Sequence, residues 1–80
     1  MVTPEQVKDY IAQGLECQFL DVAGDGQHFE AVIVSPLFRG KSRVQQHQLV
    51  YGVLGERMRA EIHALSLRTF TPEDWQDMQQ

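Results

Sequence analysis

The tripeptide Gly24-Asp25-Gly26 constrains this chain most, because it sits between two strand-like runs and leaves them almost no slack. Glycine and aspartate tolerate positive φ, so the segment reads as a hairpin turn. Before it lies Glu16–Ala23, with Cys17, Phe19, Leu20 and Val22 as apolar members; after it comes His28–Val34, His-Phe-Glu-Ala-Val-Ile-Val. Runs joined this tightly pair antiparallel. A third strand-like run, Glu61–Thr69, follows only after residues 35–60, which contain a helical pattern. That interval is long enough for a parallel crossover, and such crossovers are right-handed.

The helices announce themselves by their caps. Thr3-Pro4-Glu5-Gln6 supplies an N-cap, a proline at the first helical position and a Gln completing a capping box. Val7, Ile11 and Leu15, with Tyr10 beside them, then form one apolar face, and Gly14 weakens the last turn. Proline and glycine break the pattern in Ser35-Pro36-Leu37-Phe38-Arg39-Gly40. Ser42, with Gln45 three residues on, caps a second, longer helix that ends near Arg59. Its face is read as Val44, Tyr51, Leu54 and Met58, with His47 and Val50 flanking. Thr71-Pro72-Glu73 repeats the opening cap and starts a short terminal helix. The expected architecture is α+β: a two-layer domain of order α-β-β-α-β-α, in which the two longer helices cover one face of a three-stranded mixed sheet.

Eighty residues make a single domain, residues 1–80. A chain of this size buries only about 60–65% of its unfolded surface, which leaves no room for a deep catalytic cleft. No apolar run approaches the ~20 residues a membrane span needs, and the N-terminal residues carry no export pattern. The single cysteine, Cys17, excludes an internal disulfide and fits a reducing compartment, so a cytoplasmic location is expected. The net charge of −4 argues against a dedicated nucleic-acid binder. Positive charge is nonetheless concentrated at Arg39, Lys41 and Arg43, with Arg57, Arg59 and Arg68 downstream. The cluster reads either as solvated loop charge or as a local basic patch.

His63 opens the run Ile62-His63-Ala64-Leu65-Ser66-Leu67, where a valine or threonine would suit a strand better. If strands two and three are parallel, His28 and His63 open them at the same end of the sheet. Directly paired strands lie about 4.8 Å apart, so the two imidazoles can converge; a strand between them would add one more spacing. Neutral imidazole is a ligand for zinc, copper and iron, and it binds only when deprotonated, so acid weakens the site. Two histidines are half of a four-coordinate site. Cys17 lies toward the far end of its strand and reads as a small core residue. His63 can equally be a structural histidine, and His28 an exposed strand terminus. His47, between Gln46 and Gln48, is assigned no ligand role.

From Val22 onward the chain resembles the BolA family, most closely its subgroup of small acid-stress-associated proteins of the YrbA or IbaG kind. The resemblance rests on Gly24-Asp25-Gly26-Gln27-His28-Phe29, Phe38-Arg39-Gly40-Lys41-Ser42-Arg43-Val44, Val50-Tyr51, Ile62-His63-Ala64-Leu65-Ser66-Leu67 and Phe70-Thr71-Pro72-Glu73-Asp74-Trp75. It implies a fold similar to a type II KH domain. It also implies a monothiol glutaredoxin partner with which a [2Fe–2S] cluster is shared, no cofactor being expected in the isolated chain. His63 would be one ligand, and His28 the second, in a loop where other members carry cysteine. Glutaredoxin cysteine and glutathione would supply the rest. Gln27 and the lack of a loop cysteine are this chain's departures, so its second ligand would be of histidine type.

A competing expectation is a DNA-binding transcriptional regulator, which the KH-like fold invites. A KH domain clamps the backbone with a Gly-x-x-Gly loop, and Gly40-Lys41-Ser42-Arg43 lacks the second glycine. Arg39, Lys41 and Arg43 would then carry the phosphate or partner contacts alone. No nucleophile–base constellation, P-loop or dinucleotide fingerprint is present, so neither an enzyme nor a small-molecule substrate is expected.

Overall fold

The computed structural model describes residues 2–79. The first helix, α1 (Pro4–Gly14), starts as its cap predicts: the Thr3 hydroxyl accepts from the Gln6 amide, and the Gln6 side chain accepts from the Thr3 amide. The hairpin follows as β1 (Phe19–Gly24) and β2 (His28–Val34), antiparallel, with Phe19 opposite Val34 and Gly24 opposite Phe29. After a 3-10 turn at Pro36–Phe38 comes α2 (Arg43–Leu54), capped by Ser42 and Gln45. A short α3 (Glu56–Ala60), β3 (Ala64–Phe70) and α4 (Pro72–Met78) complete the chain. The sheet order is β1-β2-β3, with β2 and β3 directly paired and parallel.

Three boundaries differ from the sequence reading. β1 begins at Phe19 rather than Glu16, because the preceding polar groups bond elsewhere: the Glu16 carbonyl accepts from the Ser35 hydroxyl at 2.6 Å and the Cys17 thiol turns to the Leu15 carbonyl. The expected helix through Arg59 is two helices, broken at Gly55, whose backbone (φ 57°, ψ −131°) suits only glycine. β3 starts at Ala64 rather than Glu61, because the Glu61 and Ile62 amides both bond back to the Arg57 carbonyl and close α3.

Strand alternation splits the sheet into two faces. Phe29, Ala31 and Ile33 of β2 are fully buried and pack against α1 and α2 through Val7, Ile11, Leu15, Val50 and Leu54. On the other face α4 covers one end, where Trp75 stacks on Phe19 at 5.1 Å and tilts against Phe70 at 5.4 Å. The rest of that face is open.

The face of α2 is also corrected. Gln46, Val50 and Leu54 are buried, whereas Val44 is 64% exposed and Tyr51 38%. The stripe passes through a glutamine, and an apolar count therefore misplaces it. Gln46 donates to the carbonyls of Phe38 and Lys41 and accepts from the Thr69 hydroxyl at 2.7 Å. One buried amide thus ties the 36–41 turn, α2 and β3 together.

Candidate functional site: the hairpin end of the sheet

The register sets the site. His28, the first residue of β2, is the Cα partner of Ala64, the first residue of β3, so His63 immediately precedes the residue opposite His28. The two histidines therefore lie at one end of the sheet, with no strand between β2 and β3. Both are exposed. His63 is not embedded in an apolar strand: it sits in the bend between α3 and β3, and its neighbour Ile62 takes the buried position.

Local bonds hold His28. The Asp25 carboxylate accepts from the amides of Gln27 and His28 at 3.0 and 2.9 Å, which also holds that carboxyl below the usual carboxylate range. Gly24 has no room for a side chain, since a Cβ there would fall 2.5 Å from the His28 carbonyl oxygen and 2.6 Å from the Phe29 ring. Across the strands, the Ser66 hydroxyl lies 3.2 Å from His28 Nε2.

The bend bearing His63 has its own fastening. The Tyr10 hydroxyl donates to Glu61 at 2.7 Å, and the Arg57 guanidinium lies 4.1 Å above the Tyr10 ring. The hydrogen bond to Glu61 chiefly raises the Tyr10 hydroxyl above its ordinary range. Sequence reasoning placed Tyr10 on a helix flank and missed this contact; its partner is 51 positions away and no local pattern signals it.

No third donor joins the histidines. Among the described residues, no group of three or more His, Cys, Asp or Glu side chains is arranged to hold a metal ion. Cys17 lies at the opposite end of the sheet, where Gln18 bonds Val34, and burial followed by the Glu16 charge pushes its thiol up. It is a half-buried core neighbour and a poor thiolate. Two exposed imidazoles with no third protein ligand suit a group whose other ligands come from outside. They do not suit a closed tetrahedral site.

The basic cluster is less free than its sequence suggests. Arg39 forms a bidentate pair with Glu73, Nε to Oε1 at 2.9 Å and the terminal nitrogen to Oε2 at 2.7 Å, so its charge is spent within the chain. Lys41 and Arg43 border a hollow shared with Asp74 and Asp77. Arg43 also lines a groove of about 330 Å³ between α2 and β3, with His47, Leu67, Arg68, Thr69 and Phe70. The Nε2 of His47 is buried there with no hydrogen-bond partner among the described residues.

Comparison with known proteins agrees with this architecture. The family model described as BolA-like protein matches residues 11–74. The acid stress protein IbaG of Escherichia coli K12 is 39% identical over 71 residues, spanning 88% of this chain and 84% of that protein. The DNA-binding transcriptional regulator BolA of the same organism is 29% identical, spanning 99% of this chain and 85% of that one. A solved BolA protein homologue from Coxiella burnetii superposes with a TM-score of 0.87 at 44% identity, over 95% of this chain and 99% of that one. The residues matched and these likenesses agree with the observed α-β-β-α-α-β-α order: the chain belongs to the BolA family.

Proposed function

We propose that the chain is the histidine-bearing half of a shared [2Fe–2S] site. His63 and His28 would be its ligands, and a monothiol glutaredoxin with glutathione would complete the set. The observation that carries this reading is the direct parallel pairing of β2 and β3, which brings two exposed imidazoles to one end of the sheet with no third protein donor among the described residues. A cluster held between two proteins asks only half its ligands from each. Neutral imidazole in place of thiolate raises the reduction potential of such a cluster and makes the ligand protonatable. That chemistry suits transfer, or iron- and stress-related regulation in the cytoplasm, better than storage. Neither relative described above carries an enzyme's name, and the role proposed is that of a partner protein.

Co-expression with a monothiol glutaredoxin tests it. The complex should show a visible absorption spectrum distinct from that of the glutaredoxin alone. His63→Ala should abolish the difference, and His28→Ala should make the complex less stable. Identical spectra for wild type and His63→Ala would refute the ligand assignment.

A DNA-binding role is the second reading, favoured by the groove between α2 and β3 and by the name of the regulator relative. With Arg39 engaged by Glu73, the phosphate contacts would fall to Lys41, Arg43 and Arg68. Binding would then weaken steeply with salt and be lost in Arg43→Ala. Absence of binding at roughly 0.1 M salt would end that reading.

A further inference from the structure

We infer that Ser66 is a positioning residue for His28, holding Nε2–H so that Nδ1 is the ring nitrogen presented to an outside ligand. The inference rests on the reading of His28 as a ligand given above. It starts from three constraints on one side chain. The Asp25 carboxylate pins the His28 amide, so the hairpin fixes where the ring is rooted. Strand pairing places His28 opposite Ala64, which puts Ser66, two residues further on, on the same open face of the sheet. The Ser66 hydroxyl then meets Nε2 at 3.2 Å.

A neutral imidazole carries one proton and a serine hydroxyl can donate or accept, so the contact itself allows either tautomer. With Nε2 engaged by Ser66, a ligating Nδ1 needs its lone pair, which assigns the proton to Nε2 and makes the serine oxygen the acceptor. When Nε2 donates to the serine oxygen, Nδ1 keeps its lone pair, and it has no protein partner among the described residues. Metal-bound histidines commonly have this arrangement, in which the nitrogen remote from the metal donates to an oxygen and fixes the ring. The other ligation mode, through Nε2, would require the ring to break away from Ser66. On this assignment the strand pair selects which atom is offered, as well as which residue. Ser66 belongs to neither histidine's loop, and only the β2–β3 register brings it within reach.

Two measurements decide the matter. In the chain alone, labelled with ¹⁵N and held at roughly pH 8.5 so that imidazoles are neutral, long-range proton–nitrogen correlation reads the His28 tautomer. Wild type should show a protonated Nε2 whose proton is protected from exchange. Ser66→Ala should lose that protection, and Ser66→Thr, which keeps the hydroxyl, should retain it. A predominant Nδ1–H form, or an unchanged signature in Ser66→Ala, overturns the inference and leaves the ligand reading intact. In the glutaredoxin complex, histidine labelled with ¹⁵N at δ1 only should give a strong electron–nuclear coupling in the reduced state that disappears in His28→Ala. If absorption depends on His28 but no such coupling exists, Nε2 is the ligand and the inference fails. If absorption does not depend on His28 at all, the ligand reading itself fails and takes this inference with it.

Discussion

Replacing Gln46 by leucine separates the contribution of a buried polar link from that of packing. Leucine keeps the volume roughly constant, so cavity formation does not dominate. Three hydrogen bonds disappear: two from the amide nitrogen to Phe38 and Lys41 carbonyls at 3.3 and 3.1 Å, and one accepted from Thr69 at 2.7 Å. The Phe38 carbonyl retains the Lys41 amide as a donor, and exposed Lys41 can turn to water, so those two losses are small. The Thr69 hydroxyl is half-buried and has Gln46 as its protein partner, so its loss is the largest of the three. An unpaired buried hydroxyl costs about 1–3 kcal/mol, and the added apolar burial of leucine offsets part of it. The expected net loss is about 1–2 kcal/mol. With a urea m-value of about 1 kcal/mol/M for a small domain, the midpoint should fall by about 1–2 M with m unchanged. Thr69→Val alone should also destabilise, because it strands the Gln46 oxygen. Combined with Gln46→Leu it should add almost nothing, giving a coupling of about 1 kcal/mol. Single-variant losses that simply add, within about 0.3–0.5 kcal/mol, would refute the idea that this amide and hydroxyl act as a unit.

Gly24→Ala should cost about 1–3 kcal/mol, because the new methyl meets backbone at the His28 carbonyl and Phe29 Cα; a midpoint equal to wild type would show that the turn relaxes freely. Tyr10→Phe should speed amide exchange at Glu61–Ala64 while leaving the β1–β2 hairpin protected, and unchanged exchange there would remove Tyr10 as the anchor of the bend. Arg39 holds the Glu73 carboxyl below the ordinary carboxylate range. A depressed folded-state value means that the stabilisation is present above that range and is lost as pH falls through it. Glu73→Gln should therefore lower the urea midpoint at neutral pH and match wild type in acid. A difference that persists or grows in acid would contradict this.

The elements that local chemistry dictates were readable from the chain. Thr3 with Gln6, Ser42 with Gln45 and Gly24-Asp25-Gly26 each fix their own stretch of backbone within a few residues, and the structure follows them. The length between β2 and β3 gave the parallel pairing, and with it the placement of His28 and His63 at the same end of the sheet. What escaped depends on distant partners. Gly52 and Gly55 both lie in an apparent helix, but only the second takes a backbone that ends it. Val44 and Tyr51 looked like core, but Gln46, a buried polar residue with three hydrogen-bond partners, occupies the inward face. Arg39 looked like a free cation because Glu73 lies 34 positions downstream. Ser66 carries no signal of its own in the chain, because only the β2–β3 register sets it beside an imidazole.

The register between β2 and β3 also bears on how the protein comes together. Each residue of β2 pairs with one thirty-six positions later, His28 with Ala64 through Val34 with Phe70. The hairpin closes across three residues, whereas this pairing must close a loop that includes α2 and α3. The larger loop-closure entropy therefore falls on this pairing, and such non-local pairing slows folding. Without it, nothing keeps His28 and His63 at one end of the sheet. Any ligand that needs both histidines recognises only the closed chain and adds RT ln(1 + [L]/Kd) to its stability. For such a ligand, occupancy and global unfolding would be one coupled equilibrium, and destabilising the chain would release it without any change at the histidines themselves.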